Sequence, residues 1–213
     1  VSSVYFPERD AVKLVSTPTS DIFDTDITDS VKVSFYNGTK VIDALSHFNG
    51  DIQGKIKYSE IDGELMASDF TIENSDLKIN LACADPSLSF MEMSKDETDR
   101  AFSVEGSIFQ FDLLTTHVDK MKSLFNLERE EDTFTLAVTD KGVAVQGPSY
   151  DATLAHSYEG DNAVGEKVVI YKKYINLLDK ENYKVVVCSN KVVFRSLDTN
   201  THLTVAVAIT DED

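Results

Sequence analysis

Histidine, cysteine, carboxylate and lysine are the residues here that could do chemistry, and none of them falls into a catalytic spacing. His47, His117, His156 and His202 are dispersed along the chain. No G-x-S-x-G or phosphate-loop pattern occurs, and neither Cys83 nor Cys188 has an activating neighbour in sequence. An enzyme is therefore not expected. Each cysteine sits inside an apolar β-type run, the setting of a buried free thiol in a reducing compartment. A disulfide stays open on this evidence, while the lack of a His/Cys cluster argues against zinc. The acidic stretch at 21–29, DIFDTDITD, offers carboxylate oxygens to a hard cation. It lacks the central Gly and terminal Glu of a calcium loop and alternates with Ile, Phe and Thr like an edge strand. No metal and no cofactor are expected.

What remains is charge. Twenty Lys and Arg stand against 37 Asp and Glu, a net charge of −17 over 213 residues. Such a chain repels nucleic acid at long range unless its few lysines gather on one surface. Otherwise the charge serves solubility alone.

The elements that must position those lysines follow from periodicity. Helices are expected at about 38–48, at about 110–125 and after residue 171. At 100° per residue, the 110–125 segment aligns Leu114, Val118, Met121 and Phe125 as a core stripe, with Asp112, Thr116, Asp119, Lys120 and Ser123 opposite. In the last helix Tyr171, Tyr174, Ile175 and Leu178 face inward. Lys173, Asn176 and Lys180 lie opposite, with Lys172 on the flank. In the first helix Val41, Ala44, Leu45 and Phe48 pack inward, and Lys40, Asp43, Ser46 and His47 look outward. Lysines are thus enriched on outer helix faces, but Asp43, Asp112 and Asp119 share them.

Around these helices the chain says the same thing twice. KVSFYNGTKVIDALSHF, KIKYSEIDGELMASDF and DLKINLA in residues 32–81 correspond to KVVIYKKYINLLDKEN, YKVVVCSNKVVFRSLD and THLTVAVAI in residues 167–209. Each copy is a β-run, a helix and further alternating β-runs, and a period of roughly 135 residues implies tandem domains rather than a solenoid. Strands are expected at Val4–Phe6, Ala11–Val15, 52–59, 63–70, 76–83 and 101–106, and in the hairpin EDTFTLAV–GVAVQG. ADPSLSFMEMSKDETDR (84–100) mixes Pro, Ser and charge without sustained periodicity. The division is a domain at 1–87, a connector over 88–100 and a domain at 101–213. No apolar run approaches the ~20 residues of a membrane helix, and VSSVYFPERD lacks the layout of a secretion signal.

The ordered set DITDSVKVSFY, DGELMASDF, DLKINLA and ADPS, then DTFTLAVTDKGVAVQG, NYKVVVC and HLTVAVAI, resembles the DNA polymerase sliding clamp of T4-type bacteriophages. The resemblance covers nearly the whole chain. It implies an α+β DNA clamp fold, with two tandem similar domains carrying antiparallel sheets outside and helices on the inner face. It implies a homotrimeric ring around double-stranded DNA that confers processivity on the replicative polymerase, without enzymatic activity, in the cytoplasm of an infected bacterium. Lys40, Lys120, Lys122, Lys172, Lys173 and Lys180 would face DNA, with His47 and His117 as weaker candidates. Edge strands at about 76–83 (Leu77, Ile79, Leu81) and 151–158 (Thr153, Leu154, His156) would pair between subunits. Leu88, Phe90, Met91, Met93 and Ile209 would form the pocket for short apolar peptides of polymerase and clamp loader; without such a partner, the first four would pin the connector to its own domain. Members of the family open with an amphipathic helix before the first strand, so the first domain is expected to be one helix short. The competing class is a β-rich phage structural or scaffold protein that oligomerises without touching DNA. A hydrolase or ligand-binding β protein would instead reveal a deep polar pocket.

Overall fold

Two-residue alternation builds most of this protein, and the strand after the last helix shows how. In β12 (Tyr183–Cys188), Tyr183, Val185 and Val187 point into one core while Val186 and Cys188 point to the opposite face. Both faces are apolar because both are covered. The structure, a computed structural model, describes residues 2–5, 10–15, 31–36, 38–85 and 93–208. The described residues divide into two units, one of 1–18 with 93–213 and the other of 19–92.

In the first unit, β7 (Ser107–Leu113), α3 (Thr115–Phe125), β8 (Thr133–Thr139), β9 (Gly142–Gly147) and β10 (Tyr150–Ala155) form a β-helix-β-β-β motif. A second follows at once: β11 (Lys167–Tyr171), a 3-10 helix (Lys172–Leu177), β12, β13 (Lys191–Ser196) and β14 (Thr201–Ala206). The two motifs exchange first strands, since β7 pairs with β12 and β11 pairs with β8. The sheets run β10-β9-β8-β11 and, beyond β7-β12-β13-β14, on to β2 (Ala11–Val15) and β1 (Ser2–Tyr5). Between them lies one core, where Phe109, Phe111, Phe194 and Tyr183 meet Val118 and Met121 of α3 and Ile175 of the 3-10 helix. Each such side chain contributes about 1.5–3 kcal/mol of burial.

The second unit repeats the motif once more among its described residues, as β3 (Val31–Lys32), α1 (Gly38–Ser46), β4 (Gln53–Ile61), β5 (Glu64–Glu73) and β6 (Lys78–Ala82). β5 pairs antiparallel with β4 and β6 and parallel with the short β3. Phe35 packs on Phe70 with ring centroids 5.8 Å apart. The chain passes from β4 to β5 through Asp62 and Gly63, both at positive φ, so the tight turn rests on an Asp-Gly pair suited to it. In α1, Ala44 is buried and Val41 is half-buried, as is Phe48 just beyond its end, but Leu45, placed inward by periodicity, is 40% exposed.

Four sequence expectations are corrected. The strands at 4–6 and 11–15 were expected in the first domain; β2 instead pairs with β14, Val12 opposite Thr204, because Ala11 and Val12 are buried there. The connector holds a helix, α2 (Lys95–Phe102), and a strand at 101–106 does not form. Residues 110–113 are strand, not the start of a helix, since Phe109, Phe111 and Leu113 alternate into the core and leave Leu114 exposed at the helix entrance. The last helix is a six-residue 3-10 helix, although Tyr174, Ile175 and Leu178 are buried as the periodicity placed them.

α2 owes its existence to polar chemistry at both ends. Ser94 and Glu97 form a capping box, with the Glu97 amide donating to Ser94 Oγ at 3.2 Å and the Ser94 amide to Glu97 Oε2 at 2.8 Å. At its far end Lys191 Nζ donates to the carbonyls of Arg100 (2.7 Å) and Ala101 (3.1 Å). Arg195 reaches that of Phe102 at 3.1 Å. These cations sit where the helix dipole is negative. Ser94→Ala is expected to cost about 1 kcal/mol locally. It should speed hydrogen exchange across 95–102 while leaving β12 amides protected.

Candidate nucleic-acid interface

The helices present five of the six candidate cations; Lys180, expected on the last helix, lies beyond it because the 3-10 helix ends at Leu177. On α3, Val118 and Met121 are buried, so Thr116, Asp119, Lys120 and Ser123 are exposed and Lys122 is half-buried. His117 turns back to cap the helix, its Nδ1 accepting from the Leu114 amide at 3.2 Å. Burial, then the Lys120 and His156 charges, push its pKa down, so it is neutral at neutral pH. His47 is exposed just beyond the end of α1.

Of the six predicted DNA-facing lysines, three are already engaged. Lys120 Nζ donates to the Thr153 carbonyl at 2.9 Å. Lys172 Nζ donates to the Glu128 carbonyl at 2.7 Å and lies 5.5 Å from the centre of the Phe125 ring. Lys173 pairs with Asp10 at 2.9 Å and stands over the rings of Tyr171 and Tyr174 at 5.2 Å. Lys40, Lys122 and Lys180 form no ion pair among the described residues. A cleft of about 550 Å³ beside Lys172 and Lys173 also takes in Asp10, Glu128, Glu131 and Asp132, so this part of the helical layer is not purely cationic.

Cations on the sheets contrast with those three. Lys184 on β12 bridges Asp112 at 3.0 Å and Glu159 at 3.3 Å. Gln110 and Lys184 hold the exposed Glu159 carboxyl below its usual range. In the second unit Lys55 and Lys78 both pair with Glu73, and Lys57 lies 3.9 Å from Asp69. Lys55, Lys57, Lys78 and Lys184 thus sit beside carboxylates, although Lys167 on β11 does not, whereas of the six candidates only Lys173 forms an ion pair among the described residues.

The two strands expected to pair between subunits are both edges. β6 pairs only with β5, and β10 only with β9, among the described residues. Leu77, Ile79 and Leu81 are half-buried, as is Thr153. Two residues sit differently from the expected strand pattern. Leu154 is buried in the core because a bulge between Thr153 and Ala155 turns it inward, and β10 ends at Ala155, leaving exposed His156 beyond it with Nδ1 3.3 Å from the Lys141 carbonyl.

Of the expected peptide pocket, Leu88, Phe90, Met91 and Ile209 lie outside the described residues, as does the acidic stretch 21–29. Met93 is 8% exposed and lines a cleft of about 390 Å³ with Ala11, Val12, Glu97, Arg100 and Lys191. Sequence reasoning missed that α2 forms one wall of this cleft; the S-x-x-E signature at 94–97 was the available signal. Cys83 and Cys188 are free thiols, and burial pushes both pKa values up. No group of His, Cys, Asp and Glu suited to a metal occurs among the described residues, and no described helix is long and apolar enough to cross a membrane.

No protein-family model matches this sequence, and no curated protein is similar to it. Solved structures are. The PCNA2–PCNA3 complex of Sulfolobus tokodaii superposes with a TM-score of 0.62 at 12% identity, over 96% of this chain and 84% of that one. The PCNA of A. fulgidus, bound to the C-terminal region of FEN-1, gives 0.60 at 12% identity, over 97% and 84%. The beta subunit of the Streptococcus pyogenes DNA polymerase gives 0.61 at 13% identity, over 98% of this chain and 57% of that one. This chain has the DNA clamp fold. Strand-exchanged β-helix-β-β-β motifs are how its sequence reaches that clamp fold, and the α+β expectation holds over nearly the whole chain.

Proposed function

We propose that this protein is a sliding clamp that encircles duplex DNA and tethers a replicative polymerase. The observation that carries the reading is the clamp fold over nearly the whole chain, built from repeated motifs that each set a helix against a sheet. Such a ring needs no active site. Topological enclosure supplies retention, so contact with phosphates can stay weak and sequence-independent. Lys40, Lys122 and Lys180 are the cations for that contact, joined by Lys120, Lys172 and Lys173 when their present partners give way. The paired lysines of the sheets leave those surfaces acidic, which keeps DNA off the outside.

Copies of the chain would join head to tail, β6 of one against β10 of the next, three to a ring. Pairing satisfies two edges that otherwise expose backbone groups. Short apolar peptides of polymerase and clamp loader would dock at the cleft beside Met93. By its sequence resemblance the ring serves a T4-type phage in the cytoplasm of its host.

A mass measurement in solution tests the assembly, with three times the subunit mass expected. Retention on circular DNA, lost when the circle is cut, tests the enclosure. A trimer that shows no topology-dependent retention would favour the scaffold reading instead.

A further inference from the structure

The ammonium of Lys120 ends on the backbone of the edge strand, at the carbonyl of Thr153, 2.9 Å away. That carbonyl stands where the bulge between Thr153 and Ala155 interrupts the ladder to β9. An unpaired carbonyl on an edge is what an incoming strand needs, and a lysine placed on it blunts the edge. The helix side of the contact is equally specific. α3 is fixed by buried Val118 and Met121, so Lys120 is delivered to β10 from a rigid element.

We infer that Lys120 guards the β10 edge and exchanges partners when a second copy of this chain arrives. In the free subunit its ammonium caps the Thr153 carbonyl. When the neighbour's strand pairs with β10, an amide of that strand takes the carbonyl, and the ammonium is released to the helical surface. Edge pairing and cation supply are thereby linked, and the linkage is reciprocal: an anion that holds Lys120 also frees the edge for pairing. The inference deepens the clamp reading and rests on it, because it takes β10 as the joining edge.

Full-length chains carrying Lys120→Met or Lys120→Arg separate the possibilities, with self-association measured by sedimentation across a concentration series. Met keeps the stem without the charge, and Arg keeps the charge. Lys120→Met is expected to associate roughly fivefold more tightly than wild type, since no hydrogen bond must break first. Lys120→Arg should follow wild type. Short DNA duplexes at low salt should tighten association of wild type and leave Lys120→Met unmoved. Equal or weaker association of Lys120→Met, with wild type assembling, overturns the guard while leaving the clamp reading intact. Failure of all three chains to associate at any concentration removes the strand-paired ring itself, and the guard with it. Circular dichroism of each variant checks that α3 remains folded.

Discussion

Lys40→Glu, Lys122→Glu and Lys180→Glu combined in one chain are expected to reduce retention on circular duplex DNA on the order of tenfold or more at moderate salt. These three lysines form no ion pair among the described residues, so their charge is available to phosphate at no internal cost. In the proposed ring, repetition would multiply each loss, and each cation replaced by an anion also adds repulsion. The matched control is Lys57→Glu, Lys141→Glu and Lys167→Glu, which changes net charge equally at exposed strand and turn positions. That control should retain DNA as wild type does. Solution mass and melting temperature should stay near wild type for both, because none of the first three lysines holds the core. Equal loss in test and control would mean that DNA senses only total charge, and would end the assignment of these three lysines to DNA contact.

How much of this was legible in the sequence differs by element, for physical reasons. Strands announced themselves as short apolar, β-branched runs bounded by turn residues, as in β8, β9 and β14. β7 was hidden because IFQFDLL runs straight into a helix. Helical phase extended backwards made a stripe of Leu114 with Val118, whereas alternation of Phe109, Phe111 and Leu113 was the stronger pattern. The 3-10 helix was legible in its buried face but not in its type, since Tyr171, Tyr174 and Leu178 satisfy both periods over so short a span. α2 was missed because its polar, charged sequence has no buried residue to betray it. It is fixed by hydrogen bonds from Lys191, Arg195 and Thr204, ninety or more residues away. The same distance explains the partial reading of the site. Sequence placed the lysines on outer helix faces, but no local rule shows that Lys172 ends on the Glu128 carbonyl or Lys173 on Asp10.

Affiliation of the first strands was illegible for a related reason. β1 and β2 read as the opening of a domain because they come first. β1 pairs with β2, and the partner of β2 on its other side, β14, lies at the other end of the chain, with Ala11 opposite Val205. Burial, not order, assigns them. Lys13 adds to the tie by donating to the Leu177 carbonyl at 3.0 Å and pairing with Asp179 at 2.7 Å. The N-terminal strands thus anchor the segment just beyond the 3-10 helix, directly beside Lys180. A candidate DNA-contacting lysine is positioned by residues almost the whole sequence away.

The largest effect expected on stability comes from Gly147→Ala. A Cβ at this position would sit 2.7 Å from the Tyr150 ring and against Oε2 of Glu128. Neither neighbour can yield freely. Glu128 is 8% exposed, its Oε1 accepts from the Ser149 amide, and its carbonyl holds Lys172. Tyr150 is buried with its hydroxyl unpartnered among the described residues. The overpacking should cost about 2 kcal/mol, read as a lower denaturant midpoint at unchanged slope. Glu128→Ala in the same chain should recover only part, because the ring clash remains. Alkaline titration supplies an independent readout of the same cluster. Burial, then the Glu128 charge, push the Tyr150 pKa up to about 12 from 10.0, so the folded state keeps a proton the unfolded chain gives up. This contribution to stability is complete below about pH 10 and is lost as the pH rises towards 12. Tyr150→Phe should therefore flatten the decline above pH 10 while leaving stability at pH 7 close to wild type, since the lost hydroxyl had no partner to desert.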